Sequence, residues 1–150
     1  MNIVVKTIID TIGSAKRDYL EGEVKYDKGS CRLEDRGGVY GIAVKLDESE
    51  VETFFNNNNK KGEEVKVNEW RTIGEGYYPL YWGKDINLGS RLFEHMKASN
   101  TVASIQLDKK WSLLCDKSVI YGAVMCVDRH NWERELRKKY PDIYKTEMGI

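Results

Sequence analysis

Cysteine, proline and histidine are all scarce in this chain, with three, two and two among 150 residues. Cys31, Cys115 and Cys126 are odd in number, and no pair forms a CxxC motif, so neither a disulfide framework nor a zinc knuckle is indicated. His95 and His130 alone argue against a zinc site, although His130-x-x-Glu133 has ligand spacing. Long apolar runs are missing too; none approaches the ~18 residues of a membrane span. The N-terminus, Met1 to Lys6 with an acidic Asp10 behind it, lacks the basic region and long apolar stretch of an export signal. These absences predict a cytoplasmic protein with reduced thiols and no membrane contact.

An excess of one charge is absent as well. Lysine plus arginine is 24 and aspartate plus glutamate is 24. The distribution is uneven: residues 31–76 hold 7 basic and 10 acidic side chains, and residues 77–150 hold 12 basic and 9 acidic. A polyanionic partner would therefore meet the second half of the chain.

What is present is the balance of a globular domain, 41% apolar and 32% charged. One domain over 1–150 fits this length, and such a domain buries roughly 70% of its unfolded surface. Residues 1–37 form an N-terminal helix and lead-in. Val4, Val5, Ile8, Ile9 and Ile12 have helical spacing, with Asn2 as N-cap and Gly13 as stop. Gly38–Leu46 reads as a strand with Tyr40, Ile42, Val44 and Leu46 on one face. Residues 47–76, with Asn56 to Asn59 and flanking charge runs, read as an inserted surface excursion that buries little and has a mobile tip. Within it Val65-Lys66-Val67 has the alternation of a short strand.

Tyr77–Gly83 reads as a second strand, with Pro79 marking its start or an edge. Asn87 then caps a helix carrying Leu88, Leu92 and Met96, and Asp108-Lys109-Lys110 suggests a turn. Val119–Val127 is apolar throughout, as expected of a strand covered on both faces. A polar helix from about Asn131 to Lys139 stops before Pro141. The predicted class is α/β (α+β): a small, mainly antiparallel sheet of about three strands flanked by helices, with an insertion in the central hairpin.

Three pieces of the sequence carry chemistry together. They are Gly38-Val39-Tyr40; Tyr81-Trp82-Gly83-Lys84 with Arg91 and His95; and Glu133 on the last helix. Arg91 and His95, four apart, share a helix face, about 100° from the apolar stripe. Singly, each residue has an ordinary reading. A tyrosine beside a glycine is common in sheets, Arg91 and His95 suit a solvated helix, and Glu133 lies in a strongly charged helix.

Jointly, they resemble the GIY-YIG nuclease superfamily. Gly38-Val39-Tyr40 is similar to its first motif and Tyr81-Trp82-Gly83 to its second. Arg91 falls ten residues past Tyr81, His95 follows four later, and Glu133 through Tyr140-Pro141 is similar to the closing helix. The resemblance spans about residues 38–146. It departs in the forty-one positions between Tyr40 and Tyr81 and in the residues after Pro141, where Tyr144 and Lys145 replace the family's asparagine.

The resemblance implies a metal-dependent endonuclease acting on DNA. Phosphodiester hydrolysis needs a nucleophile, charge stabilisation at phosphorus and help for the leaving oxygen. Glu133 is the expected ligand for Mg²⁺ or Mn²⁺, hard cations that keep most of their waters. Arg91 offers a planar fork for the scissile phosphate. Tyr40, Tyr81 and His95 are the proton acceptors available. By the resemblance Tyr40 is the base, while Tyr81 and His95 position water or phosphate. Lys84, Trp82 and Asn87 are expected to contact substrate. Any sequence recognition falls to segment 47–76 and the N-terminal helix, which suits a restriction or phage-defence role. Cutting both strands implies a homodimer or sequential nicking. A binding module for nucleic acid or protein on the same scaffold is the alternative, favoured by zero net charge.

Overall fold

The computed structural model describes residues 1–13, 17–24, 37–88, 91, 95 and 104–147. Helix α1 (Ile3–Ile12) begins and ends where its capping residues lie: Asn2 Oδ1 accepts from Val5 N–H at 3.0 Å, and Gly13 takes the left-handed conformation at φ 80°. Strands β1 (Tyr19–Glu23), β2 (Gly38–Lys45), β3 (Tyr77–Asp85) and β4 (Val119–Met125) form one antiparallel sheet in the order β1-β4-β2-β3. The fold is α+β, and the sheet has four strands rather than three. The added strand, β1, is short and acidic, which hid it in the sequence. Helices α2 (Val51–Asn58), α3 (Leu107–Leu114) and α4 (Arg129–Lys139) flank the strands in the chain. Among the described residues no helix is long and apolar enough to cross a membrane.

The sheet is covered on both faces, which gives three layers. One face carries Tyr40, Ile42, Val44 and Leu46, as their alternation predicts, packed with Leu88, Ile105, Leu107, Leu114, Ile143 and Tyr144. The other carries Val39, Ala43, Trp82 and Val124 under α1 and Leu136 of α4.

Glycine and aromatic residues interlock across the strands. Tyr40 pairs with Gly83, and Gly41 with Trp82. A Cβ on Gly83 would stand 2.3 Å from the Tyr40 hydroxyl oxygen, and one on Gly41 would stand 2.4 Å from the Trp82 ring. Each aromatic side chain therefore occupies the space left by the opposing glycine, Tyr40 on one face and Trp82 on the other. Tyr121 lies over Gly22 in the same way between β4 and β1. On the α1 face, Gly41 also pairs with Gly122, and α1 settles there, with Val5 N 2.9 Å from where a Gly122 Cβ would be.

Segment 47–76 departs from the expected solvated excursion. Its Phe54, Phe55, Val65 and Trp70 are buried in the main core. The Phe54 and Trp70 rings stack at 5.9 Å, and Trp70 Nε1 donates to the Pro79 carbonyl at 2.7 Å. The aromatic content outweighs the asparagine and charge around it. Residues 65–67 form no strand: Val65 turns into the core, and turns follow it. Asp108-Lys109-Lys110 lies in α3 rather than in a turn. Leu92 and Met96 fall outside the described residues.

β3 is an edge strand, and its Pro79 sits at a register shift opposite Ala43, where no ladder donor is needed. The chain after α4 closes that edge. Ile143 and Tyr144 N–H both donate to the Leu80 carbonyl, and the Asp142 carboxylate accepts from Trp82 N–H at 2.8 Å.

Candidate active site

Tyr40 is fully buried, held over Gly83 with its hydroxyl directed at His95. His95 and Arg91 are both helical, and Arg91 N–H donates to the Asn87 carbonyl at 3.0 Å, the first-turn bond that the capping position of Asn87 implies. Tyr40 Oη and His95 Nε2 are 2.5 Å apart. The other imidazole nitrogen, Nδ1, accepts from Ile105 N–H at 3.0 Å. That bond fixes the tautomer: Nδ1 offers its lone pair, so the neutral ring carries its proton on Nε2 and donates to Tyr40. Arg91 also hydrogen-bonds Tyr40. The phenol oxygen thus receives an imidazole and a guanidinium, and its own proton is left to point elsewhere.

Two consequences follow for proton chemistry. Both nitrogens of His95 are engaged, Nε2 by Tyr40 Oη and Nδ1 by the Ile105 N–H, an arrangement in which the imidazole orients Tyr40. Burial, and then Arg91, hold its pKa well below the usual 6.5. Burial likewise lifts the Tyr40 hydroxyl well above the ordinary tyrosine value, with Tyr81 adding to the rise and Arg91 opposing it. Tyr40 is therefore a neutral phenol at neutral pH, and as a base it needs further positive charge brought to its oxygen.

The depressed His95 pKa has a measurable effect on stability. Its unfolded pKa lies above its folded one, so below about pH 6.5 the unfolded chain binds a proton that the folded chain refuses. Stability accordingly falls as pH drops from 6.5 toward the folded pKa, with a limiting slope of about 1.4 kcal/mol per pH unit from this residue. Denaturant unfolding at pH 7, 6 and 5 should show that slope, and His95→Gln should flatten it.

Tyr81 lies on the same face, its ring centroid 4.8 Å from His95 and 6.1 Å from Tyr40. Burial raises its pKa, while Arg137 and Arg91 oppose the rise and Asp142 and Glu133 add to it. Tyr81 therefore lies within electrostatic reach of both Arg91 and Glu133.

Glu133 arrives from the other side. Helix α4 packs on the α1 face, and its Arg137 reaches the outer edge of β3. Arg137 Nη1 donates to Glu133 Oε1 at 2.8 Å, Nε to Asp142 Oδ2 at 3.2 Å and Nη2 to the Trp82 carbonyl, and its guanidinium lies 5.4 Å from the Tyr81 ring centroid. Burial opposes the charge on Arg137, yet Asp142 and Glu133 keep its pKa raised.

The expected substrate contacts separate. Trp82 is 1% exposed, its ring over Gly41 and its Nε1 donating to the Tyr140 carbonyl, so it belongs to the core and not to a substrate surface. Strand alternation sends Lys84, partly exposed, to the face opposite Tyr40 and Tyr81. Asn87 is exposed at the start of the helical turn before Arg91.

Asp142, Arg137 and the Ile105 N–H were missed in the sequence.

Among the described residues no three histidine, cysteine, aspartate or glutamate side chains are grouped to hold a metal. Glu133 is a lone carboxylate, its side chain 13% exposed. Its oxygens are hard donors of the kind Mg²⁺ takes, and one of them accepts from Arg137 at 2.8 Å, so a cation that keeps most of its waters would have to share or displace that pair. Compared with models of protein families, with curated proteins and with solved structures, the chain matches none.

Proposed function

We propose that the protein is a GIY-YIG-type endonuclease that hydrolyses phosphodiester bonds in DNA in the cytoplasm, with Mg²⁺ or Mn²⁺ at Glu133. One observation carries the reading: an imidazole and a guanidinium meet at the phenol oxygen of buried Tyr40, beside a tyrosine that feels both Arg91 and Glu133. A phenol kept among donors is poised to orient water and to lose its proton once more positive charge arrives. Arg91, whose planar guanidinium also hydrogen-bonds Tyr40, is the group proposed to meet the scissile phosphate. Tyr81 borders the same space. A bound cation would supply the charge that lowers the cost of deprotonating water or Tyr40. A restriction or phage-defence role, acting as a homodimer or by sequential nicking, is the setting this chemistry suits.

The second reading is a binding module on this scaffold. The engagement of Glu133 by Arg137 favours it, since a carboxylate already paired needs no metal.

Plasmid cleavage on varied DNA sequences with Mg²⁺, Mn²⁺ or EDTA separates the two. Metal-dependent cutting by wild type, reduced by about 100-fold or more in folded Arg91→Ala and Glu133→Ala, is expected of the nuclease. DNA binding at low salt without cutting, unchanged by either substitution, would establish the binding module instead.

A further inference from the structure

Asp142 follows the proline beyond α4, and its carboxylate is wholly buried. Three donors converge on it. Lys61, from the segment between β2 and β3, pairs with Oδ1; Trp82 N–H and Arg137 Nε share Oδ2 at 2.8 and 3.2 Å. Arg137 is committed on every side, to Asp142, the Trp82 carbonyl, Glu133 and the face of Tyr81. One guanidinium is therefore divided between two carboxylates, one buried and fixed and one near the surface. Its anchors also keep it from following Glu133 when that carboxylate turns toward another cation.

We propose that Asp142 is a positioning residue: by orienting and partly neutralising Arg137, it sets how readily Glu133 exchanges that guanidinium for a divalent cation. The inference rests on Glu133 being the metal ligand of the proposed nuclease. Lys61, on the far oxygen of Asp142, brings segment 47–76 into the same balance. A carboxylate that only seals the β3 edge affects stability, whereas one that acts through Arg137 has an effect that depends on Arg137.

Mn²⁺ binding to the full chain, followed by the electron paramagnetic resonance signal of free Mn²⁺, needs neither DNA nor turnover. Wild type is compared with Asp142→Asn, Arg137→Gln and the double variant, with Glu133→Gln as the reference and denaturation confirming that each folds. Asp142→Asn should weaken binding by about tenfold, because Arg137 then turns its full charge on Glu133, and Arg137→Gln should tighten it. In the Arg137→Gln background, Asp142→Asn should change binding by less than about twofold. Equal binding in wild type and Asp142→Asn, or the same loss with and without Arg137, overturns the inference alone. Should Asp142→Asn fail to fold, Lys61→Met supplies the test with opposite sign: it leaves Asp142 to Arg137 and should tighten binding, and no change or a weakening overturns the inference. Absence of Mn²⁺ binding in wild type, or binding indifferent to Glu133→Gln, overturns it together with the metal assignment beneath it.

Discussion

If the protein cleaves DNA as proposed, Gly83→Ala is expected to silence that cleavage in a chain that still folds. The added Cβ would stand 2.3 Å from the Tyr40 hydroxyl oxygen and ring carbon, so the ring has to withdraw. Ordinary contact requires a displacement of roughly 1 Å, and misplacement on that scale costs about 100-fold in rate. Withdrawal also pulls Oη away from His95 Nε2 and Arg91, so the two donors lose their common acceptor. Overpacking of this kind lowers stability by about 1–3 kcal/mol, which denaturant unfolding would register. Cleavage at the wild-type rate by a folded Gly83→Ala protein would mean that the position of Tyr40 is irrelevant to the chemistry.

Trp82→Ala is expected to cause the largest loss of stability, about 3–5 kcal/mol. Trp82 is among the largest fully buried side chains, and its removal empties the space above Gly41 and deletes the Nε1 bond to the Tyr140 carbonyl at 2.8 Å. The same geometry predicts non-additivity. Gly41→Ala alone collides with the Trp82 ring and destabilises, whereas in the Trp82→Ala background only Val4 Cγ1, 3.0 Å from the new methyl, has to give, and the substitution should cost much less. Urea unfolding of the two single variants and the double variant measures the sign. Additive losses would show that the glycine is not there for the ring.

Tyr40 and Tyr81 were legible in the sequence because they stand in strands whose alternation is plain, and Arg91 and His95 because their spacing puts them on one helical face. The caps at Asn2 and Gly13 and the all-apolar β4 were readable for equally local reasons. Trp82 and Lys84 show the limit of reading by motif. They adjoin Tyr81 and Gly83 in sequence, yet lie an odd number of positions from Tyr81, and a pleated strand sends such neighbours to the opposite face. The core role of Phe54, Phe55 and Trp70 was masked by the asparagines and charges around them. Asp142 was illegible for another reason: its partners Lys61, Trp82 and Arg137 lie 81, 60 and 5 positions away, and no local pattern records who meets whom across such spans. The second hydrogen bond of His95, to the Ile105 backbone, leaves no mark in side-chain identity at all.

The strand order also bears on how quickly the molecule assembles. Among the described strands β2 follows β1 but does not pair with it; both wait for β4, which the chain supplies about a hundred residues after β1 and which lies between them. Large loops must close before those ladders repay the lost chain entropy. Sheets joined by such distant pairings fold in roughly milliseconds to seconds, not microseconds. The β2–β3 pair with its crossed tyrosine and tryptophan can form first and serve as a nucleus, but β1 remains unpaired until β4 docks. Pulse-labelled hydrogen exchange during refolding should therefore show the β2–β3 amides gaining protection no later than those of β1.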